Sequence, residues 1–189
     1  PLLSNLLLDE FDQELTRRGL RFCRYADDCN VYVSSRRAGE RVMASVCRFL
    51  TRRLRLKVNE SKSAVARPDE RKFLGFTLTT GSEPQRHVSP KALKRFKERV
   101  RELTRRTLGR SLEQLIQPLA RYLIGWRGYF GFCQTPRVLS NLDARIRRRL
   151  RMYLWRQWKN GRNRFKELRR RGVTKFRAAV AAGSPTGFW

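Results

Sequence analysis

The sequence predicts an α+β fold in which a small antiparallel sheet with helices is followed by an all-helical region. Three observations support this prediction. Short apolar stretches flank turn residues between Leu20 and Ser34 and again near residue 75, as expected of β-hairpins. From Ser89 onward the apolar residues recur at helical spacing. Basic residues are concentrated in the same region, since residues 81–189 hold 28 Lys and Arg against 6 Asp and Glu.

The N-terminal part begins with a helix and a hairpin. Apolar residues at helical spacing predict a helix over residues 3–18, which Gly19 ends. Two short strands follow, Arg21–Tyr25 and Asn30–Val33, joined by a tight turn at Ala26–Cys29. Two aspartates of the turn therefore lie at the tip of the hairpin.

A second helix and further extended segments follow the hairpin. The apolar spacing predicts a helix over Ala38–Leu54 and an extended segment at Leu56–Asn59. Lys72–Leu78 is predicted as a strand, with Arg86–Val88 returning beside it. We expect a domain boundary near Val88, where the composition changes.

The remaining sequence is predicted to be helical because it combines helix-start residues with apolar stripes. Pro118 is expected to divide its region into two helical segments. The predicted helix starts and short helices lie at Ser89 with Pro90, Ser111 with Gln114, Pro118, Thr135 with Pro136, and around Phe165 and Phe176.

The charge of the chain predicts a polyanionic partner. Its 189 residues include 44 Lys and Arg against 16 Asp and Glu, a formal net charge of +28. Nucleic acid is the densest natural counter-charge, because binding releases the cations condensed on its phosphates. Arg outnumbers Lys, and its planar guanidinium can bind phosphate and stack on bases, which favours RNA.

The sequence gives no indication of a zinc-binding, disulfide-rich or membrane-spanning protein. The cysteines at positions 23, 29, 47 and 133 form no C-x-x-C pair and His87 is the single histidine, so neither a zinc knuckle nor a disulfide framework is indicated. No apolar run approaches the roughly 18 residues that span a membrane. We expect a soluble cytoplasmic protein. Since the chain opens at Pro1 without Met and closes on Trp189, we also expect it to be cut from a longer one.

Asp27 and Asp28 are candidate metal ligands. Mg²⁺ prefers oxygen ligands and is often held by one or two carboxylates together with substrate phosphates. In a two-metal site such ions act on both the attacking and the leaving oxygen of a phosphoryl transfer. The alternative is a solvated turn, because Asp favours turns by bonding to its own backbone.

The surrounding motifs resemble those of reverse transcriptases. Tyr25-Ala26-Asp27-Asp28, between two short strands, resembles the Y-x-D-D motif. Pro1–Asp9 resembles the end of the template-contacting segment. Leu54–Ser63 resembles the L-x-L-x-x-N-x-x-K-T segment, although Ser63 replaces the usual Thr. Phe73–Phe76 resembles the F-L-G-F primer-grip hairpin, so four motifs occur in the family's order.

Later motifs are similar to those of group II intron maturases. Gly125–Phe130 resembles the G-W-x-x-Y-F segment of the maturase domain, and Leu154–Lys159 and Gly183–Trp189 resemble its closing motifs. Trp126 and Phe130 are spaced i, i+4, which favours packing in the core over base stacking. The resemblance implies three parts: the C-terminal part of a palm over residues 1–88, a helical thumb and maturase domain over 89–182, and a tail over 183–189.

The resemblance also implies roles for individual residues. Asp27 and Asp28 would hold two Mg²⁺ ions together with a further catalytic Asp that this chain lacks. Lys62 would approach the triphosphate, although it is also consistent with an ordinary solvated lysine, and Asn59 with a residue that caps a turn. The implied nucleotide- or template-binding residues are Tyr25, Ala26, Asn59, Lys62 and Asn5, and the implied primer-grip residues are Phe73, Leu74 and Gly75.

The basic helices are predicted to bind RNA phosphates. Too few acidic residues lie near them for these cations to be paired within the protein. The predicted RNA-binding residues are Lys94, Arg95, Lys97, Arg101, Arg145, Arg148, Arg149, Arg156, Arg169 and Arg170.

Taken together, the resemblance implies an RNA-directed DNA polymerase of a group II intron with maturase activity in splicing and retrohoming. Its partners would be intron RNA, template-primer and deoxynucleoside triphosphates, within a bacterial cytoplasmic ribonucleoprotein. Without the fingers and the further Asp, the chain alone is not expected to polymerise. A non-catalytic RNA-binding splicing factor and another bacterial reverse transcriptase class are the alternatives.

Overall fold

The computed structural model describes residues 2–105, 107 and 109–184. Over these residues the backbone forms seven helices and four strands, with the strands in two two-stranded sheets, which confirms the predicted α+β fold. The chain divides into two compact units, Pro1–Pro84 and Gln85–Trp189. We refer to them as the N-terminal unit and the helical unit.

The N-terminal unit begins with α1, Leu2–Arg17, at the predicted position. The chain leaves the helix at Gly19, two residues beyond Arg17, and the φ of +66° at this position suits a residue without a side chain. The Leu20 N–H donates to the carbonyl of Leu15 at 3.0 Å, and the Gly19 N–H donates to the carbonyl of Thr16 at 2.9 Å. These two bonds are those of a Schellman motif and satisfy carbonyls that the helix end leaves open.

The hairpin strands β1, Arg21–Tyr25, and β2, Asp28–Tyr32, follow, and then α2, Arg36–Arg52. The N-cap of α2 is Ser35, whose side chain accepts from the backbone N–H of Ala38 at 3.2 Å. α1, α2 and the hairpin share an apolar core built around Phe11, Leu15 and Leu54, with partly buried Leu8, Leu20, Phe22, Cys29, Val31, Val46, Phe49, Leu50 and Leu56 packed against it.

The segment after α2 is less regular than predicted. Leu56–Asn59, predicted to be extended, lies in neither a helix nor a strand. The predicted strand over Lys72–Leu78 is interrupted at Leu74 and Gly75, and β3 covers only Phe76–Leu78. The cause is local: both interrupting residues have positive φ, which extended strands exclude.

The helical unit contains the remaining elements. Most of its helix starts are as predicted: Ser89 accepts from the Ala92 N–H at 3.3 Å, and Ser111 and Gln114 form a capping box. Its elements are β4 Arg86–Val88, α3 Pro90–Leu103, α4 Leu112–Phe130, α5 Pro136–Gln157, α6 Gly161–Arg170 and α7 Lys175–Gly183.

Helix α4 continues through Pro118, so the predicted division at this residue is wrong. A proline inside a helix removes one hydrogen bond and costs about 3 kcal/mol. Leu115 and Leu119 lie on either side of it and are almost completely buried. Burying each such side chain contributes about 1.5–3 kcal/mol, so the pair offsets the cost.

The core of the helical unit lies between α3, α4 and α5. Its buried residues are Phe96, Val100, Leu115, Leu119, Leu142 and Tyr153. Trp126 packs against this core, with its ring centroid 4.5 Å from that of Phe96, which confirms its predicted core role. Phe130 is half-buried and stacks on Trp126 at 4.7 Å.

Among the described residues, no helix is both long enough and apolar enough to cross a membrane. The predicted closing motif from Gly183 to Trp189 lies outside the described residues beyond Ser184.

Candidate catalytic hairpin and basic helical surface

The hairpin has a two-residue turn, which is tighter than predicted. Tyr25 pairs with Asp28 in an antiparallel register, so only Ala26 and Asp27 form the turn, while Asp28 begins β2. Ala26 has a φ of +53°. A positive φ at the first turn residue is typical of primed turns, whose twist matches that of paired strands. The apex thus presents Asp27 and Asp28 consecutively, as expected.

The two faces of the hairpin differ in chemistry. Because successive strand residues alternate between faces, the pair Tyr25 and Asp28 lies on one face, and Arg24 and Cys29 lie on the other. The first face is open, with Tyr25 64% exposed. The second packs on the helices, where burial raises the pKa of the Cys29 thiol to about 11. Asp28 therefore lies on the open face.

The donor atoms of Asp27 and Asp28 are suited to a magnesium ion. The side chains of Asp27 and Asp28 are exposed and offer carboxylate oxygens, which Mg²⁺ prefers. In residues 2–105, 107 and 109–184, no group of three acidic, His or Cys side chains forms a complete metal site. The pair fits a partial shell that substrate phosphates or another carboxylate would complete.

Asn5 and Asn59, both predicted to contact nucleotide or template, already make hydrogen bonds within the protein. Asn5 Oδ1 accepts from Arg24 Nη1 at 3.1 Å. Asn59 Oδ1 accepts from the Ser61 hydroxyl at 2.7 Å and from the Lys62 N–H at 3.2 Å. Asn59 therefore caps the turn that presents Lys62, whose side chain is exposed.

The predicted primer-grip residues form a tight turn. The N–H of Phe73 donates to the carbonyl of Phe76 at 2.8 Å, and the reverse bond is 2.9 Å. The two residues between them, Leu74 and Gly75, have φ of +50° and +83°. Two positive φ values are the signature of a type I′ turn. The segment is thus a second two-residue turn in the N-terminal unit.

In the helical unit a basic groove lies between α3 and α5, which we call the α3–α5 groove. It has a volume of about 240 Å³ and is lined by Pro90, Lys94, Lys97, Glu98, Arg101 and Arg145. Glu98 is the one acid among these lining residues, and its carboxylate lies 4.0 Å from the Lys94 ammonium. The groove therefore has a cationic lining suited to phosphate.

The other predicted RNA-binding residues have different surroundings. Arg95, Arg148, Arg156, Arg169 and Arg170 are exposed. Arg169 Nη1 also donates to the carbonyl of Val173 at 2.8 Å. Arg149 is half-buried and donates to the end of α3.

One element of the site is not apparent from the sequence. Arg24 lies directly before Tyr25 and forms an ion pair with Asp12 of α1 at 2.6 Å. The hydrogen bond to this carboxylate raises the pKa of Arg24 above its usual value. A pair separated by twelve residues and formed between a helix and a strand leaves no periodic signal in the sequence.

Comparison with protein-family models places both halves of the chain. Residues 1–78 match the model for reverse transcriptase (RNA-dependent DNA polymerase). Residues 93–172 match the model for the group II intron, maturase-specific domain. A search of curated proteins gave no match. The two matched ranges follow each other in one chain, one containing the acidic hairpin and the other the α3–α5 groove.

Proposed function

Because this chain belongs to the group II intron reverse transcriptase and maturase family, we propose that its hairpin contributes metal-binding carboxylates to an RNA-directed DNA polymerase and that its helical unit binds intron RNA to aid splicing. The observation that carries the proposal is the exposure of Asp27 and Asp28 at a two-residue turn. The cationic lining of the α3–α5 groove supports the second part.

The proposed reaction is a nucleotidyl transfer. The 3′-hydroxyl oxygen of the primer loses its proton to water and attacks the α-phosphorus of a deoxynucleoside triphosphate. The bond from that phosphorus to the bridging oxygen breaks, and pyrophosphate leaves. Mg²⁺, when bound, stabilises the charge that develops on these oxygens. Asp27 and Asp28 would hold this ion, and Tyr25 and Ala26 would contact the nascent base pair. Lys62 offsets the negative charge of the triphosphate.

The remaining proposed contacts hold the nucleic acids. Phe73, Leu74 and Gly75 contact the primer strand, since a tight turn lets backbone atoms approach it closely. In the helical unit, the cations of the α3–α5 groove bind phosphates of the intron RNA. Such contacts fix the position of the RNA and strengthen binding through release of counterions.

Intron RNA binding can be tested with the full chain and a transcript that contains a group II intron. The test variant replaces Lys94, Lys97 and Arg101 by Ala. The control replaces Arg36, Arg37 and Arg41 of α2, which are also exposed. Both triple variants therefore lose three positive charges.

We expect the α3 variant to lose roughly tenfold in affinity. The slope of log K against log salt should become shallower by about 2–3, because each of the three lost phosphate contacts removes about 0.7–0.9 of slope. The α2 variant should change little. If both variants lose the same affinity for intron RNA, binding depends on net charge alone, which would contradict the proposed RNA site.

The catalytic part requires a complete polymerase, obtained by joining this chain to the fingers and first palm strand of a family member. There, Asp27→Ala should abolish primer extension and leave intron RNA binding intact. Asp69→Ala removes an exposed acid elsewhere in the N-terminal unit and is the control. Extension by the Asp27→Ala protein would contradict the metal role and favour a non-catalytic splicing factor.

A further inference from the structure

The guanidinium of Arg24 joins α1 to the acidic turn. Its Nε and Nη2 donate to the two carboxylate oxygens of Asp12 at 2.8 and 2.6 Å. Its Nη1 donates to the backbone carbonyl of Ala26 at 2.8 Å and to Asn5 Oδ1 at 3.1 Å. All of these atoms belong to the N-terminal unit. Three sites, two on a helix and one on the turn, are thus bound by one rigid planar group.

The environment makes this contact well defined. The side chain of Arg24 is 12% exposed and that of Asp12 is 27% exposed. A bidentate pair between a guanidinium and a carboxylate fixes the orientation of both planes, which a lysine ammonium cannot do. The position of Nη1, and hence of the hydrogen bond to the turn, is therefore set by Asp12.

Arg24 donates its hydrogen bond to the turn residue whose backbone conformation is the least favourable for its residue type. Ala26 has a φ of +53°, a backbone conformation that residues other than glycine rarely adopt. Its carbonyl belongs to the peptide unit that continues into Asp27. A donor held at this carbonyl restricts the rotation of that peptide unit and thereby the direction in which Asp27 leaves the turn.

We propose that Arg24 is a positioning residue that orients the Asp27-Asp28 turn by linking the Ala26 carbonyl to Asp12 and Asn5 of α1. The inference rests on the proposed metal-binding function of the turn. Asp12 has a second effect, since its charge balances the guanidinium that would otherwise repel a cation bound nearby. Asn5, itself predicted to contact template, shares the Nη1 donor with the turn, so Arg24 also connects the two candidate contact sites.

The test uses the full chain labelled with ¹⁵N and Mn²⁺ as the probe of the magnesium site. Mn²⁺ broadens the amide signals of nearby residues, and the signals of Ala26, Asp27 and Asp28 are followed. Arg24→Lys keeps the positive charge and removes the planar fork. The matched control is Arg17→Lys, which makes the same change at an exposed arginine paired with Glu14 on α1. Amide order parameters of the turn are measured in the absence of metal.

We expect Arg24→Lys to require roughly tenfold more Mn²⁺ for half-broadening, the effect typical of residues that support metal ligands. The Asp27 order parameter should fall from about 0.85 to below about 0.6. Arg17→Lys should change neither. If Arg24→Lys does not fold, Asp12→Asn tests the same link, since it removes the charge that fixes the guanidinium.

The outcomes separate the inference from the function on which it rests. If Mn²⁺ still broadens the amide signals of the turn in Asp27→Ala, the proposed metal site is overturned. The amide order parameter of Asp27 in Arg24→Lys would then still decide whether Arg24 positions the turn. If Arg24→Lys leaves the turn as ordered as Arg17→Lys does, the positioning role is overturned. A loss of unfolding free energy with no change at the turn would overturn it as well, because that is the signature of an ordinary stabilising pair.

Discussion

The guanidinium of Arg149 in α5 donates hydrogen bonds to both the side chain and the carbonyl of Thr104, the residue at which α3 ends. Its Nη2 also lies 3.3 Å from the carbonyl of Arg101. Carbonyls at a helix end lack partners within the helix, and a cation there also complements the helix dipole. A residue predicted to bind RNA thus stabilises the end of a helix.

Arg149→Ala should therefore lower the free energy of unfolding by about 1–3 kcal/mol, the cost of leaving buried acceptors unpaired. Urea denaturation measures the change. Arg156→Ala removes an exposed arginine from the same helix and should change stability by less than about 0.5 kcal/mol. Equal effects of the two substitutions would contradict the capping role.

The turn at Leu74 and Gly75 gives a prediction of unequal losses of stability at neighbouring residues. Gly75→Val should destabilise by about 1–2 kcal/mol, because a β-branched residue is strained at a φ of +83°. Leu74→Asn should cost less, since Asn tolerates positive φ. Thermal unfolding followed by circular dichroism compares the two, and a Gly75→Val protein as stable as the parent would argue against the turn.

Pro118 allows a prediction of increased stability. Pro118→Ala restores a backbone N–H inside α4 and relieves the contact of the ring with the preceding turn. The free energy of unfolding should rise by up to about 3 kcal/mol. Gln117→Ala at the neighbouring exposed position is the control. A decrease on replacing Pro118 would mean that its ring contributes packing that the helix needs.

The two hairpin cysteines should differ in reactivity and in their effect on pH-dependent stability. Cys23 is exposed, whereas burial raises the pKa of Cys29 from 9.0 to about 11. At pH 9, iodoacetamide should modify Cys23 well before Cys29, as measured by peptide mass spectrometry, since the thiolate is the reactive form.

The same shift in pKa fixes the sign of a stability effect. The folded state favours the neutral thiol of Cys29, so this contribution is complete below pH 9 and is lost as the pH rises toward 11. Cys29→Ala should remove that part of the alkaline dependence. Cys23→Ala should leave it unchanged, and the reverse result would place the buried thiol elsewhere.

Local signals in the sequence were sufficient to predict most of the helices and the first hairpin. Ser89 with Pro90 and Ser111 with Gln114 define helix starts through contacts within one turn. The hairpin with Asp27 at its tip follows equally from neighbouring residues. Such features need no knowledge of distant parts of the chain, which is why they could be predicted.

The features that could not be predicted depend on the sign of φ or on distant partners. Leu74 is a residue type common in strands, and nothing in its neighbours shows that its φ is positive. Pro118 lies within a helix whose neighbouring residues Leu115 and Leu119 are buried against other helices, and that burial depends on distant parts of the chain. The pairing of Arg24 with Asp12 requires α1 and β1 to be placed together first.

The opposite orientation of Asp28 and Cys29 limits how the gene can change. A deletion of one codon that shifts the register of β2 against β1 by one residue would exchange the two faces, bringing the Asp28 carboxylate into the apolar interior and the Cys29 thiol to the open side. Losing two codons would preserve the alternation while shortening the strand. In this segment, therefore, whether an odd or an even number of residues is lost matters more for the orientation of the side chains than how many are lost.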